Sequence, residues 1–250
     1  MGRRLAPLAV VLVLSAVAMP APSANAAGMN FRWSACAGDG GTSNRDFACD
    51  TDVGTNVVVA SFLLDQPITG LFAIFSVVDM IVANDQVVPA WWEVFDFTGC
   101  RLGSLTADAT IDPSAVNCVD WMQGAGAGGL IGWDHTGTVA PADTASHRRF
   151  KLVSGHDPPG VDVVANQEYF AFNLIIDNVN TTGGCAGCTL PVCLVLNSMQ
   201  TINMTSEVAF ITTGTFAGSN LATWQGGSGA NCASVPTRRV TWGRVKALYR

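Results

Sequence analysis

The stretch EYFAFNLIIDN, residues 168–178, decides the fold class of this chain. Its side chains alternate between two faces of an extended backbone, and one face consists of Phe170, Phe172, Leu174 and Ile176. An apolar period of two residues is typical of a β-strand and differs from the 3.6-residue period of a helix. The stretch therefore predicts a strand with a buried face.

Similar apolar segments, separated by turn residues, occur along most of the chain. We predict strands at residues 29–34, 56–64, 70–83, 91–97, 104–111, 119–122, 146–153, 192–202 and 207–212. Residues 124–132 are predicted as a glycine-rich loop, and residues 162–166 as one helical turn. Lys and Glu, which favour helices, are scarce. The sequence thus predicts an all-β fold, an antiparallel, jelly-roll-like β-sandwich over residues 27–237.

Residues 1–26 have the pattern of a secretory signal peptide. Arg3 and Arg4 form a positively charged N-terminal region, which an apolar run follows. Residues 24–26, Ala-Asn-Ala, then form a small-x-small cleavage site. The run is shorter than the roughly 20 residues that a membrane-spanning helix needs. We therefore expect cleavage near Ala27 and a protein that is secreted, displayed at the cell surface or periplasmic, with no transmembrane segment.

The charge of the chain is divided unevenly. Residues 27–237 hold six Lys and Arg residues against 19 acids, a net charge of −13, whereas residues 238–250 carry five cations and no acid. An acidic body argues against nucleic acid as a partner, because phosphate binding needs a basic face. The basic tail is predicted as a short helix with Thr241 as its N-cap. Its apolar stripe would consist of Trp242, Val245, Leu248 and Tyr249.

An even number of cysteines in an exported chain indicates disulfides. The eight are Cys36, Cys49, Cys100, Cys118, Cys185, Cys188, Cys193 and Cys232. Local spacing favours Cys36–Cys49 and Cys100–Cys118, each closing a polar loop, and leaves the other four for two further bridges. The alternative for the 185–193 cluster is a zinc or redox site, but no histidine stands at ligand spacing and no thioredoxin-like context surrounds it.

One loop between predicted strands is rich in aspartate. Hard oxygen ligands in a rigid loop can hold Ca²⁺, although the spacing is not that of an EF-hand. The alternative is turn chemistry, which Asp and Asn also favour. The calcium candidates are Asp39, Asp46, Asp50 and Asp52.

Two tryptophans beside glycine-rich segments, Trp133 and Trp224, are candidates for stacking on a sugar ring; the alternative is that they fill a core or an interface. Residues 124–129 match the letters of a dinucleotide-binding fingerprint, but no helix follows to hold a pyrophosphate, so no cofactor is expected. His135 and His156 each lie beside an aspartate, yet no nucleophile motif accompanies them. No catalytic residue is therefore assigned.

These features favour a non-enzymatic extracellular or cell-surface protein of structural or adhesive type, with a glycan or a copy of itself as partner. A carbohydrate-binding module that uses loop tryptophans is the first alternative. A secreted hydrolase whose paired acids lie far apart in sequence is the second. Hydrophobic residues make up 49% of the chain and charged residues 13%, which excludes a disordered protein.

Overall fold

The fold was obtained as a computed structural model, which describes residues 28–111, 118–134, 145–205, 208–211, 220–230 and 232. The predicted signal peptide and the predicted C-terminal helix lie outside these residues. Within them, the helical elements are 3-10 turns of three residues. No helix in the described ranges has the length and apolar character needed to cross a bilayer.

The described chain is mostly β, and its strands form two sheets. The strands are β1 (Gly28–Trp33), β2 (Asn44–Arg45), β3 (Thr55–Leu63), β4 (Ile68–Val82), β5 (Leu105–Asp108), β6 (Ala127–Asp134), β7 (His147–Gly155), β8 (Val161–Val163), β9 (Glu168–Asp177), β10 (Val192–Asn203), β11 (Val208–Ile211) and β12 (Leu221–Trp224).

The smaller sheet has the order β1-β3-β9-β5, with every neighbouring pair antiparallel. The larger sheet has the order β2-β12-β10-β4-β7-β6, with β11 paired to β10 and β8 paired to β4. Its β2–β12 pair is parallel, and its other pairs are antiparallel. The long central strands β4 and β10 therefore run along each other over most of their length.

One hydrophobic cluster contains residues from both sheets. The smaller sheet contributes Phe170, Phe172, Leu174 and Ile176, the face predicted from the alternation in residues 168–178. The larger sheet contributes alternate residues of β4 and β10, including Val78, Met80 and Leu194. The period-two signal thus identified the buried side of the strands, because successive side chains of a strand point to opposite faces.

Four predicted elements are wrong. The strand predicted at residues 119–122 is an isolated bridge at Val119 followed by a turn. The loop predicted at residues 124–132 is only partly a loop, since β6 begins at Ala127. A Cβ atom at Gly128 would lie 2.1 Å from the Val153 carbonyl oxygen, so only glycine lets β6 approach β7 this closely. The strand predicted at 91–97 is a 3-10 turn, Ala90–Trp92, after Pro89. The helical turn predicted at 162–166 gives way to β8, whose residues pair with the start of β4.

All eight cysteines are in disulfides, but the predicted local pairs Cys36–Cys49 and Cys100–Cys118 are wrong. The bridges are Cys36–Cys118, Cys49–Cys188, Cys100–Cys185 and Cys193–Cys232. They join residues 82, 139, 85 and 39 positions apart. Each bridge thus fixes segments that only the folded sheets bring together, instead of closing the loop in which a cysteine stands.

Candidate functional site

Three loops are tied together where β3 and β10 begin and β9 ends. Loop A is residues 48–54, loop B is residues 96–103 and loop C is residues 178–188. The Cys49–Cys188 bridge joins loops A and C, and the Cys100–Cys185 bridge joins loops B and C. We call these three loops the disulfide-linked end. Two of the four disulfides therefore hold the loops of this end together.

Hydrogen bonds reinforce the link between loops A and C. Both carboxylate oxygens of Asp52 accept hydrogen bonds from Thr182, one from its backbone N–H at 2.7 Å and one from its hydroxyl at 2.6 Å. These bonds, the hydroxyl first, lower the pKa of Asp52 below its ordinary value. Asn178 donates from its side-chain amide to the Val53 carbonyl at 3.1 Å, and its backbone N–H donates to Gly54.

A buried arginine links loop B to loop C. Arg101 is fully buried, and its guanidinium donates to the backbone carbonyls of Trp91 (3.1 Å), Val179 (2.5 Å) and Asp177 (2.6 Å). It also stacks on the Trp91 ring, 3.8 Å from the centroid. Burial lowers the pKa of Arg101 to about 10, although the negative charges of Asp177 and Asp52 act to raise it. The planar guanidinium thus satisfies three backbone carbonyls at once, which a lysine could not do.

The disulfide-linked end presents apolar side chains to solvent between acidic ones. Phe97 is 81% exposed, Val53 80% and Leu102 51%. The exposed charged residues of the three loops are all acidic, namely Asp50, Asp52 and Asp96, since Arg101 is buried. The surface is therefore both apolar and negatively charged.

A small cavity of about 170 Å³ opens beside loop A. It is lined by Phe47, the Cys49–Cys188 bridge and the polar residues Asp50, Thr51, Asn56 and Asn178. Pockets for drug-sized ligands measure about 300–1,000 Å³, so this cavity suits one small group only.

In comparisons with known proteins, no family model matches this chain and no curated protein is significantly similar to it.

The two tryptophans proposed for sugar stacking have different outcomes. Trp224 is fully buried, stacks on Phe47 with ring centroids 3.8 Å apart, and donates its indole N–H to the Cys188 carbonyl at 2.6 Å. The prediction that Trp224 presents its face to a ligand is therefore wrong, since its ring completes an aromatic cluster with Trp33, Trp91 and Trp92. Trp133 lies in β6, but its side chain is outside the part of the chain that the structure describes.

The four aspartates proposed as calcium ligands are dispersed. Asp39 accepts a hydrogen bond from the Cys118 backbone N–H at 3.0 Å, whereas Asp52 is bound to Thr182 in loop C. Among the described residues, the only group of three potential metal ligands within 4.8 Å consists of Cys36, Asp39 and Cys118, and its two sulfurs are bonded to each other. The structure thus does not bring the four aspartates together.

A buried ionic cluster in the larger sheet was missed by sequence reasoning. Asp79 of β4 is fully buried and accepts hydrogen bonds from Arg149 Nε (2.5 Å) and Nη2 (2.7 Å) and from Asn197 Nδ2 (2.6 Å). Nε2 of His147 lies 3.1 Å from Asp79 Oδ1. Burial alone would raise the pKa of Asp79, but the hydrogen bonds and charges of Arg149 and His147 outweigh it and lower the pKa below its ordinary value.

The residues considered for acid–base chemistry are engaged in other contacts or lie elsewhere. His156 Nδ1 is 2.6 Å from the Asp157 backbone carbonyl, and His135 lies outside the described residues. Glu93 pairs with Arg148. Glu168 accepts from the backbone N–H groups of residues 37 and 38, at 3.0 and 2.8 Å. Both described glutamates thus hold segments of the fold together.

Proposed function

We propose that this chain is an exported extracellular or cell-surface protein of adhesive or structural type, which recognises a partner through its disulfide-linked end. The four disulfides suit an oxidising compartment. In this proposal the two sheets pack as a jelly-roll-like sandwich over residues 27–237, and the sandwich acts as a rigid support for the loops.

One observation carries the proposal: two disulfides and the fully buried Arg101 fix three loops that hold Phe97 and Val53 out in solvent. Loops positioned by a rigid scaffold are common places for binding residues. Fixing them in advance reduces the entropy that is lost when a partner binds. An exposed aromatic ring on such a loop has the properties of an interface anchor.

The test compares two double variants in binding to one array of immobilised glycans and extracellular-matrix polypeptides. Val53→Ser/Phe97→Ser changes the disulfide-linked end. Val164→Ser/Met204→Ser is the matched control, since these residues are 58% and 49% exposed at the opposite ends of the strands. We expect the first variant to bind its array partner at least ten-fold more weakly and the control to bind as the unchanged protein does.

An unchanged protein that binds no array member, or equal binding by the two variants, would contradict the proposal. Turnover of a polysaccharide by the purified protein would support the hydrolase alternative instead.

The cavity beside loop A favours carbohydrate binding as a second candidate function. Its lining includes Phe47, whose ring already stacks on Trp224, and amide and carboxylate groups that can bind hydroxyls. Asp50 is exposed, so Asp50→Asn should leave the fold unchanged while removing one strong acceptor. If the array partner is a glycan held in this cavity, Asp50→Asn should weaken its binding about ten-fold, and the Val53/Phe97 variant should not.

A further inference from the structure

The described chain ends beside the disulfide-linked end. Cys232 is bonded to Cys193, the second residue of β10. Cys193 stands five residues after Cys188, which is bonded to loop A. Five residues span at most about 18 Å, and the Cα atoms of Cys193 and Cys232 are 5.7 Å apart, so residues that follow Cys232 start within about 24 Å of loop C.

The chain after Cys232 is long enough to reach all three loops. Residues 233–250 number 18, and fully extended residues advance about 3.3–3.6 Å each. The whole segment can therefore extend well beyond the distance to loop C, so the basic tail, residues 238–250, is available for contact.

The chemistry of the tail complements that of the disulfide-linked end. The tail combines five cations with apolar residues, Trp242 and Leu248 among them, which its predicted helix would place on one stripe. The disulfide-linked end combines acidic Asp50 and Asp52 with exposed Phe97, Val53 and Leu102. Opposite charges would orient the contact, and burial of apolar area would stabilise it.

We propose that residues 238–250 bind the disulfide-linked end of the same chain, with the tryptophan–leucine stripe on the apolar side chains of loops A and B. Attachment through the Cys193–Cys232 bridge gives the tail a high effective concentration at this surface, which favours its own chain over a second copy. The inference rests on the proposed function, because it names a ligand for the same recognition surface.

Zero-length carbodiimide cross-linking of the full mature protein tests this contact. The reaction joins an amine directly to a carboxylate, and the chain has only two lysines, Lys151 of β7 and Lys246 of the tail. We expect peptide mapping of the monomer fraction to join Lys246 to Asp50, Asp52 or Asp96. Lys151 is the internal control and should not join to them.

The cross-link yield is then compared in two variants of the full chain. Phe97→Ser should reduce the Lys246 yield at least five-fold, because it removes an apolar contact of the tail. Val164→Ser is the matched control and should leave the yield unchanged. Cross-links from Lys246 only to carboxylates elsewhere, only between copies in a dimer fraction, or to none would overturn the proposal.

Array binding by the same preparations separates the two proposals. Intramolecular cross-links without an array partner would support tail binding and contradict recognition of an external partner. An array partner without these cross-links would support recognition and contradict tail binding.

Discussion

At the scale of single residues, Asp79 shows how the sheet can bury a charge. The carboxylate accepts two hydrogen bonds from the guanidinium of Arg149, which stands directly opposite on β7, and one from Asn197 on β10. Removing one partner of such a pair is strongly destabilising, because it leaves the other charge buried without compensation. Asp79 is therefore expected to matter for stability far more than an exposed aspartate.

We expect Asp79→Asn to lower the free energy of unfolding at pH 7 by about 3–5 kcal/mol, since Arg149 would keep its charge and lose its counterion. Urea unfolding, followed by circular dichroism, measures the change. Asp65→Asn is the matched control, because Asp65 is exposed in the turn between β3 and β4, and it should change the free energy by less than about 0.5 kcal/mol.

The same pair of proteins tests the pH dependence. The pKa of Asp79 is lower in the folded protein than its ordinary value of about 3.9, so its contribution is complete above that pH and is lost as the pH falls through the folded pKa. The difference between the unchanged protein and Asp79→Asn should therefore shrink below about pH 4. A difference that stays constant in acid would contradict this assignment.

The sequence shows the residues of this buried cluster but not which of them pair. An aspartate within an apolar strand is visible in residues 70–83, and the alternation of residues 146–153 places Arg149 on one face of a strand. The pairing of residue 79 with residue 149 depends on which strands are neighbours, and local periodicity carries no information on that. The burial of Trp224 could not be predicted for the same reason, because Phe47 and Trp91, which pack against its ring, belong to segments far away in sequence.

At the scale of elements, strands with an alternating pattern or a long apolar run were predicted, and short or glycine-rich strands were not. Residues 56–64, 70–83, 168–178 and 192–202 correspond to β3, β4, β9 and β10. The four-residue strand β12 was not predicted, and β6 was hidden because its glycines carry no apolar pattern. Trp91 and Trp92 have strand-forming side chains, but they are in a 3-10 turn and pack edge to face, 4.8 Å apart.

The loops of the disulfide-linked end provide a prediction at this scale. Arg101 is the only Lys or Arg in loops A, B and C, and it is fully buried. Replacing both Cys100 and Cys185 by serine should release loop B and let trypsin cleave after Arg101. Losing the bridge should also lower the free energy of unfolding by about 2–5 kcal/mol.

The control is Cys193→Ser/Cys232→Ser, which removes one bridge but leaves loop B attached. Limited trypsin digestion with mass spectrometry should find the new cleavage after Arg101 only when Cys100 and Cys185 are replaced. Equal protection of Arg101 in both variants would mean that its hydrogen bonds, and not the bridge, hold loop B.

At the scale of the whole molecule, three of the four bridges involve residues at or next to the loops where β10 begins. Eight cysteines allow 105 pairings, and sequence spacing cannot choose among them. The choice is made by the sheet order, which brings segments up to 139 positions apart to the same end. Cysteine count alone thus predicted the number of bridges, whereas the choice of partners required the folded sheets.

The last prediction concerns the start of the mature protein. Strand β1 (Gly28–Trp33) lies within three residues of the predicted cleavage site between Ala26 and Ala27, and it is the edge strand of the smaller sheet. Cleavage there would keep all six residues of β1, including buried Met29 and Phe31. Cleavage farther along would remove part of the core. Intact-mass analysis of the exported protein should therefore give a chain that begins at or near Ala27.

Cleavage should depend on the small residues of this site, because signal peptides are cut after a small-x-small pattern. Ala26→Phe should block cleavage and accumulate the uncut precursor, whereas Ala21→Phe, outside the pattern, is the matched control and should be processed normally. Equal processing of the two variants would show that the signal peptidase cuts at a different position. Recovery of the unchanged protein as a chain beginning at Met1 in a membrane fraction would show instead that residues 1–26 remain attached as an anchor.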